Sequence, residues 1–352
     1  MRRLLGVLIV LVLAGTTQAS TLSRIKLERG KGSNLQIGQQ VKLASGANTG
    51  TLETAAIPLA SFDTAVVSWN AITPAGTGVM LEVRARINKR WSRYYPYASW
   101  TSAARNSYPS KRDINGRVNT DTLELSKRAD ALQIRVTLES KKSGSNSTAG
   151  PTLTGLWAVT SDSKTHYEVQ AATSDRSAWG LELDVPMRSQ MIYPNGGEVW
   201  CSPTSTTMIL EYWSAKLGRD LSDTVPVAAK SVWDGVYDGS GNWPFNTAYA
   251  GSKGLSAHVD RLGNLTQAEA FIKRGVPLAV SIGWKEGELP GAHIKSSQGH
   301  LVVLRGFTKT GDPIINDPAA KTDISVRTVY PRAAFEGAWI EHSGGIVYVI
   351  EL

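Results

Sequence analysis

From about residue 20 to 162 apolar and polar side chains alternate along the chain. Leu81, Val83, Ala85 and Ile87 interleave with Glu82, Arg84, Arg86 and Asn88, and Leu132, Ile134, Val136 and Leu138 interleave with Gln133, Arg135, Thr137 and Glu139. A period of two puts each apolar set on one face of a strand, so these runs predict half-buried antiparallel strands. Turn-forming clusters such as Ser45-Gly46-Ala47-Asn48 and Thr73-Pro74-Ala75-Gly76 separate them, and no helical period intervenes. The first half is therefore expected to be an all-β sandwich. Residues 163–180 follow neither period and read as a linker. Over 181–352 the pattern becomes mixed. Ser205, Met208, Ile209 and Tyr212 share one face of a helix expected over 202–213, and a second helix is expected over 264–274, stopped by Gly275. Strands are expected at 278–282, 301–304, 313–316 and 346–350, with 308–312 as a hairpin loop, which makes this half α+β. Each half is expected to fold alone, the first localising the second.

Composition narrows the setting. With 352 residues, 41% of them apolar, and 11 Trp, the chain can bury a large core. Arg2 and Arg3 precede an apolar run over 4–14, and Thr17-Gln18-Ala19 supplies small residues before a cut, so 1–19 reads as a cleaved signal peptide and the protein as secreted or extracytoplasmic. That run is well short of the ~20 residues that span a bilayer, and no later stretch supplies a membrane span. Charge is uneven. Residues 20–162 hold 19 Lys+Arg against 10 Asp+Glu, while 181–352 hold 15 against 18. A basic first half is compatible with a cell-wall or glycan surface as partner. Trp91, Tyr94, Tyr95, Tyr97 and Trp100 could stack on sugar rings or fill a core. Nucleic acid is not expected, since no nucleic-acid motif is present.

The only cysteine, Cys201, excludes an internal disulfide and a cysteine-based zinc site, and no cofactor is implied. It precedes Ser202-Pro203-Thr204-Ser205, and proline favours a helix's first turn. At a helix N-terminus the unpaired N–H groups and dipole favour thiolate, which an inert buried cysteine would not need. A thiolate nucleophile requires a base held by a third group. Of His166, His258, His293, His300 and His342, only His300 opens an apolar strand that a hairpin returns beside an acidic end, Asn316-Asp317-Pro318. Turning near 308–312, that hairpin is expected to pair 304 with about 313 and bring 317 beside 300. Asn316 and Asp317 point to opposite faces, and spacing alone leaves open which meets the imidazole. A metal site from His293, His300 and Asp317 lacks a fixed ligand spacing.

Asp184-Val185-Pro186-Met187-Arg188-Ser189-Gln190, Trp200-Cys201-Ser202-Pro203-Thr204-Ser205, Gly299-His300-Leu301-Val302-Val303 and Asn316-Asp317-Pro318 occur in this order. Together they resemble the papain-like cysteine peptidases related to the bacteriocin-processing double-glycine leader peptidases, over about 181–352. The resemblance implies a papain-like fold, a peptide or protein substrate, and hydrolysis of an amide through a thioester. It also implies Cys201 as nucleophile, His300 as base then acid, Asp317 as the group orienting His300, and Gln190 as oxyanion donor. Relatives usually carry glycine after the nucleophile, so Ser202 is expected to narrow the cleft. The insert 191–200 separates Gln190 from Cys201. The rival reading is a surface- or glycan-binding protein with an inactive peptidase-like domain.

Overall fold

The computed structural model describes residues 20–141 and 150–352; the signal peptide expected over 1–19 lies outside the described residues. Thirteen strands between Ser20 and Ser161 join in one antiparallel sheet, a large β domain. Its frame is β1 (Ile57–Ile72), β2 (Thr77–Ile87), β3 (Gly116–Asn119), β4 (Thr122–Ser140) and β5 (Thr152–Ser161). The two long strands change partners midway. β4 pairs with β1 through Leu132 and with β2 from Ala131 onwards, while β1 passes from β4 to β5 near Thr64 and Ala65. Strands that switch partners in this way turn the corners that close a sheet over its own apolar face. On β2 the alternation read from sequence is present: Leu81, Val83, Ala85 and Ile87 are buried, and the residues between them are partly exposed.

The second half is built on a six-stranded antiparallel sheet with helices on it. Its main elements are α1 (Cys201–Leu217), α2 (Trp243–Ser252), β6 (Ser256–Arg261), α3 (Leu265–Lys273), β7 (Leu278–Trp284), β8 (Ser297–Phe307), β9 (Pro313–Asn316), β10 (Arg327–Val329), α4 (Arg332–Ser343) and β11 (Ile346–Glu351), with a short helix over Val225–Ser231 against α1. Strand order is β6-β11-β7-β8-β9-β10. α3 begins as expected, the Asn264 side chain accepting from the Gln267 N–H. α1 differs from the one-faced helix that spacing suggested. Ser202 to Leu210 are buried without interruption, because α1 packs on β7, β8 and α2 together, and small polar residues at 204–207 let those neighbours approach.

The halves do not keep separate cores: buried apolar side chains form one continuous cluster. The β1 segment 64–71 is buried on both faces because α2 and β6 lie across it. Asn70 Nδ2 donates to the Ala257 carbonyl (2.7 Å), Asn70 Oδ1 accepts from the Ala257 N–H (3.0 Å), and Ser68 Oγ accepts from the Val259 N–H (3.2 Å). Asn70 thus satisfies the backbone of β6 as a neighbouring strand would. Phe245 of α2 packs edge-on between Trp69 and Trp100, at ring distances of 5.9 and 5.7 Å. Of the two alternatives left open for the five aromatics, Tyr95, Tyr97 and Trp100 take the second and fill the core. Arg84 lies over Trp91 and Tyr94. His166 and His258 are also buried, His258 stacked on Trp157.

Candidate active site

Cys201 is the first residue of α1, after Trp200, and Pro203 lies in the first turn. The partly buried thiol lines a cleft of about 1070 Å³ that His300 and Gln190 also line. Ser205 Oγ donates to the Leu301 carbonyl (3.0 Å), which ties the start of α1 to β8 next to His300. His300 is buried, with Nε2 2.7 Å from Asp317 Oδ1. Asp317 Oδ1 also accepts from the Ala319 N–H (2.9 Å), and Oδ2 accepts from the Tyr330 hydroxyl (2.5 Å). The edge of Trp284 packs against the imidazole at 5.8 Å. Thiol, imidazole and carboxylate thus stand in series, with the carboxylate fixed from both sides.

The hairpin reaches this arrangement by a different register from the one expected. Phe307 pairs with Pro313 and Leu304 with Ile315, and an irregularity at Arg305 takes up the extra residue. Val303 faces Asn316, so Asp317 falls in line with Val302. His300 is two residues away on the same face, within diagonal reach across neighbouring strands. Asn316 turns to the other side, where Nδ2 donates to the Pro186 carbonyl (3.0 Å) and Oδ1 accepts from Arg305 Nη1 (3.1 Å). Of the two residues that spacing left open, Asp317 meets the imidazole.

These contacts shift the titration of all three groups. Burial opposes the charge on Asp317, but the facing His300 charge and the hydrogen bonds from His300, Tyr330 and Ala319 outweigh it, and the carboxyl is lowered to about 2. Burial likewise opposes charge on His300, yet Asp317 and then Cys201 raise it to about 10. Burial pushes the Cys201 thiol up, while His300 and the N–H groups of Leu301 and Ser202 bring it below its ordinary value. All three shifts favour thiolate beside imidazolium. The folded state holds the His300 proton more tightly than the unfolded chain. Its stabilisation is complete below 6.5 and is lost as pH rises through about 10. Asp317 contributes stability above 3.8 that is lost as pH falls through about 2.

Gln190 reaches the cleft despite the insert, because 191–200 folds back on it. The Tyr193 N–H donates to the Gln190 carbonyl (3.3 Å), and a Cβ at Gly197 would stand only 2.2 Å from that oxygen. Gln190 N–H donates to the Pro318 carbonyl (2.9 Å), which ties the loop carrying it to the turn after Asp317. Ser202 does not narrow the cleft. Its side chain points inward, its hydroxyl 2.9 Å from that of Tyr348. Tyr330 and Trp284 lie outside the elements and motifs read from sequence. Ser205 was read as part of the helix face and Tyr348 falls in the strand expected over 346–350, but their contacts with Leu301 and Ser202 leave no trace in the pattern. His293 is exposed. Among the described residues no group of three or more His, Cys, Asp or Glu could hold a metal ion.

Residues 182–347, which include Cys201, His300 and Asp317, match the Peptidase_C39 like family. The C-terminal domain belongs to that family. Residues 13–161 match the Peptidase C39 N-terminal domain, so both halves of the chain match families named for C39 peptidases. Comparison with curated proteins found no match. A proposed C39-like peptidase from Bacillus anthracis is 16% identical over 49% of this chain and 98% of its own, with a TM-score of 0.36. The C-terminal carbohydrate-binding module (CBM6) of a laminarinase from Zobellia galactanivorans is 12% identical over 40% of this chain and 99% of its own, at 0.25. The infectious bursal disease virus Gx strain structure is 10% identical over 42% of this chain and 34% of that one, also at 0.25. Scores at this level assign neither a fold nor a ligand. The C39-like domain has no helix long and apolar enough to cross a membrane among its described residues.

Proposed function

We propose that the protein is an exported cysteine peptidase whose Cys201, His300 and Asp317 hydrolyse an amide bond through a thioester. The observation that carries this reading is the hydrogen-bonded His300–Asp317 pair set against a thiol at a helix start, within one cleft. Cys201 Sγ attacks the carbonyl carbon, and the developing oxyanion is held by the Cys201 N–H and Gln190 Nε2. His300 gives its proton to the leaving amine, then takes one from the water that releases the acyl group, while Asp317 keeps the ring oriented. Export rests on the basic and apolar pattern over 1–19. The basic first half supports attraction to an anionic wall or glycan surface.

The direct test is to incubate the protein with a peptide library, identify new termini, and look for an acyl adduct on Cys201 by mass spectrometry of acid-quenched samples. Cleavage with a Cys201-linked acyl group supports the reading; cleavage that persists in Cys201→Ala contradicts it. Gln190→Ala is expected to lower kcat by roughly 10²-fold with KM little changed, as for loss of one oxyanion donor. An unchanged kcat would remove Gln190 from that role. Asp317→Asn takes away the charge that raises His300. The alkaline limb of kcat/KM is therefore expected to move to lower pH, and a limb that stays in place would show that Asp317 does not set it.

A further inference from the structure

The cleft extends beyond the thiol to a second pair of charged groups that the chemistry above does not use. Arg261 ends β6, and Asp121 sits at the tip of the hairpin joining β3 and β4, so the two domains contribute one charge each to the same cleft. Arg261 is 5% exposed. Its Nη1 donates to the Ser343 and Gly344 carbonyls at the end of α4, where the helix dipole is negative. Among the described residues its Nε and Nη2 have no hydrogen-bond partner, and no carboxylate stands within 4.0 Å. That leaves free the edge of the guanidinium that suits a carboxylate.

Asp121 is similarly short of counter-charge. Its carboxylate oxygens accept from the Trp243 N–H and the Thr122 hydroxyl, both at 3.2 Å, and no cation forms an ion pair with it among the described residues. Burial raises its carboxyl to about 6, and burial lowers the Arg261 guanidinium to about 10. Each group influences the other's titration, yet they do not touch. Asp121, Arg261 and Cys201 all line this one cleft, as does Tyr237.

The hairpin tip is held in place at a cost. Thr120, a β-branched residue, has a φ of +54°, a conformation that costs about 1–3 kcal/mol and persists only where surrounding contacts impose it. Those contacts are the Tyr97 hydroxyl on the Asp121 carbonyl and the Trp243 N–H on its carboxylate. A strained tip that brings a carboxylate without a cation into the same cleft as a guanidinium without a carboxylate is poorly explained by packing alone. A ligand with both charges would satisfy each.

We propose that Asp121 and Arg261 form a subsite for a zwitterionic α-amino-carboxylate group on the substrate, with the ammonium on Asp121 and the carboxylate on the free edge of Arg261. The link to substrate rests on Cys201 being the nucleophile, whereas the binding itself does not. The test is calorimetric titration of the full-length Cys201→Ala protein with γ-glutamylalanine amide, its N-acetyl derivative and its α-methyl ester. The free probe is expected to bind at least about tenfold more tightly than either derivative. Asp121→Asn should abolish the preference over the N-acetyl form, and Arg261→Gln the preference over the ester, while each leaves the already blocked form within about twofold of its affinity for the parent. Should Arg261→Gln fail to fold, Arg261→Lys keeps the charge but not the fork and should reduce the same preference. Equal affinity for all three probes, absence of binding up to about 5 mM, or variants that weaken every probe alike would overturn the proposal. A chain that binds the free probe but cleaves no peptide would contradict the peptidase reading alone, and a peptidase indifferent to these probes would contradict the subsite alone.

Discussion

Cys201→Ala is expected to abolish amide hydrolysis, with a loss in kcat on the order of 10⁶, the scale seen when a covalent nucleophile is removed. Under the proposed mechanism the thiolate is the attacking group, and neither His300 nor Gln190 replaces it. The fold should survive. The side chain is only partly buried at the start of α1, and losing one sulfur there should cost about 1 kcal/mol, or about 2–4 °C in Tm for domains of this size. Activity assays and a thermal melt on the same preparation separate the two readings. A large fall in Tm would mark Cys201 as a core residue.

The second large effect concerns the domain boundary. Residues 181–352 expressed alone are expected to aggregate or to melt far below the full chain. Removing the first half exposes Phe245, 1% exposed in the intact protein, and leaves the Ala257 and Val259 backbone groups without Asn70 and Ser68. An uncovered phenylalanine alone forfeits ~1.5–3 kcal/mol, and each stranded backbone group adds ~1–3 kcal/mol unless water reaches it. Asn70→Ala in the full chain provides a milder version and should lower stability by ~2–4 kcal/mol, measured by denaturant unfolding. An isolated second half with the Tm of the intact protein would show that the shared core contributes little. The same truncation removes Asp121 and with it one wall of the cleft.

These outcomes trace what the sequence made legible. His300 and Asp317 were readable because a hairpin is a local device: two apolar strands and a turn place their ends together, and an error of two in register still leaves both on one face. Cys201 was readable because Pro203 marks a helix start. Gln190 was not, since only the fold of 191–200 returns it to the cleft, and the motif resemblance had to stand in for geometry. Tyr330 bonds Asp317 from thirteen residues away and Tyr348 meets Ser202 across 146, contacts with no periodic trace. The largest departure lies between the halves. Strand periodicity in β1 reports only that its apolar residues are buried, and whether the second face meets solvent or another domain depends on where α2 lands. Ser68 and Asn70, polar residues near the end of that strand, are the ones whose placement there would have signalled a partner.

The proposed mechanism requires Cys201 and His300 to share a proton as thiolate and imidazolium. It is tested most directly by the pH dependence of Cys201 alkylation with iodoacetamide, followed by mass spectrometry in the intact protein and in His300→Ala. Because His300 lowers the thiol, alkylation of the intact protein is predicted to have its midpoint well below 9.0, and removing the imidazole should move that midpoint upward. A midpoint at or above 9.0 in the intact protein, or one that does not move in His300→Ala, would rule out the thiolate–imidazolium pair.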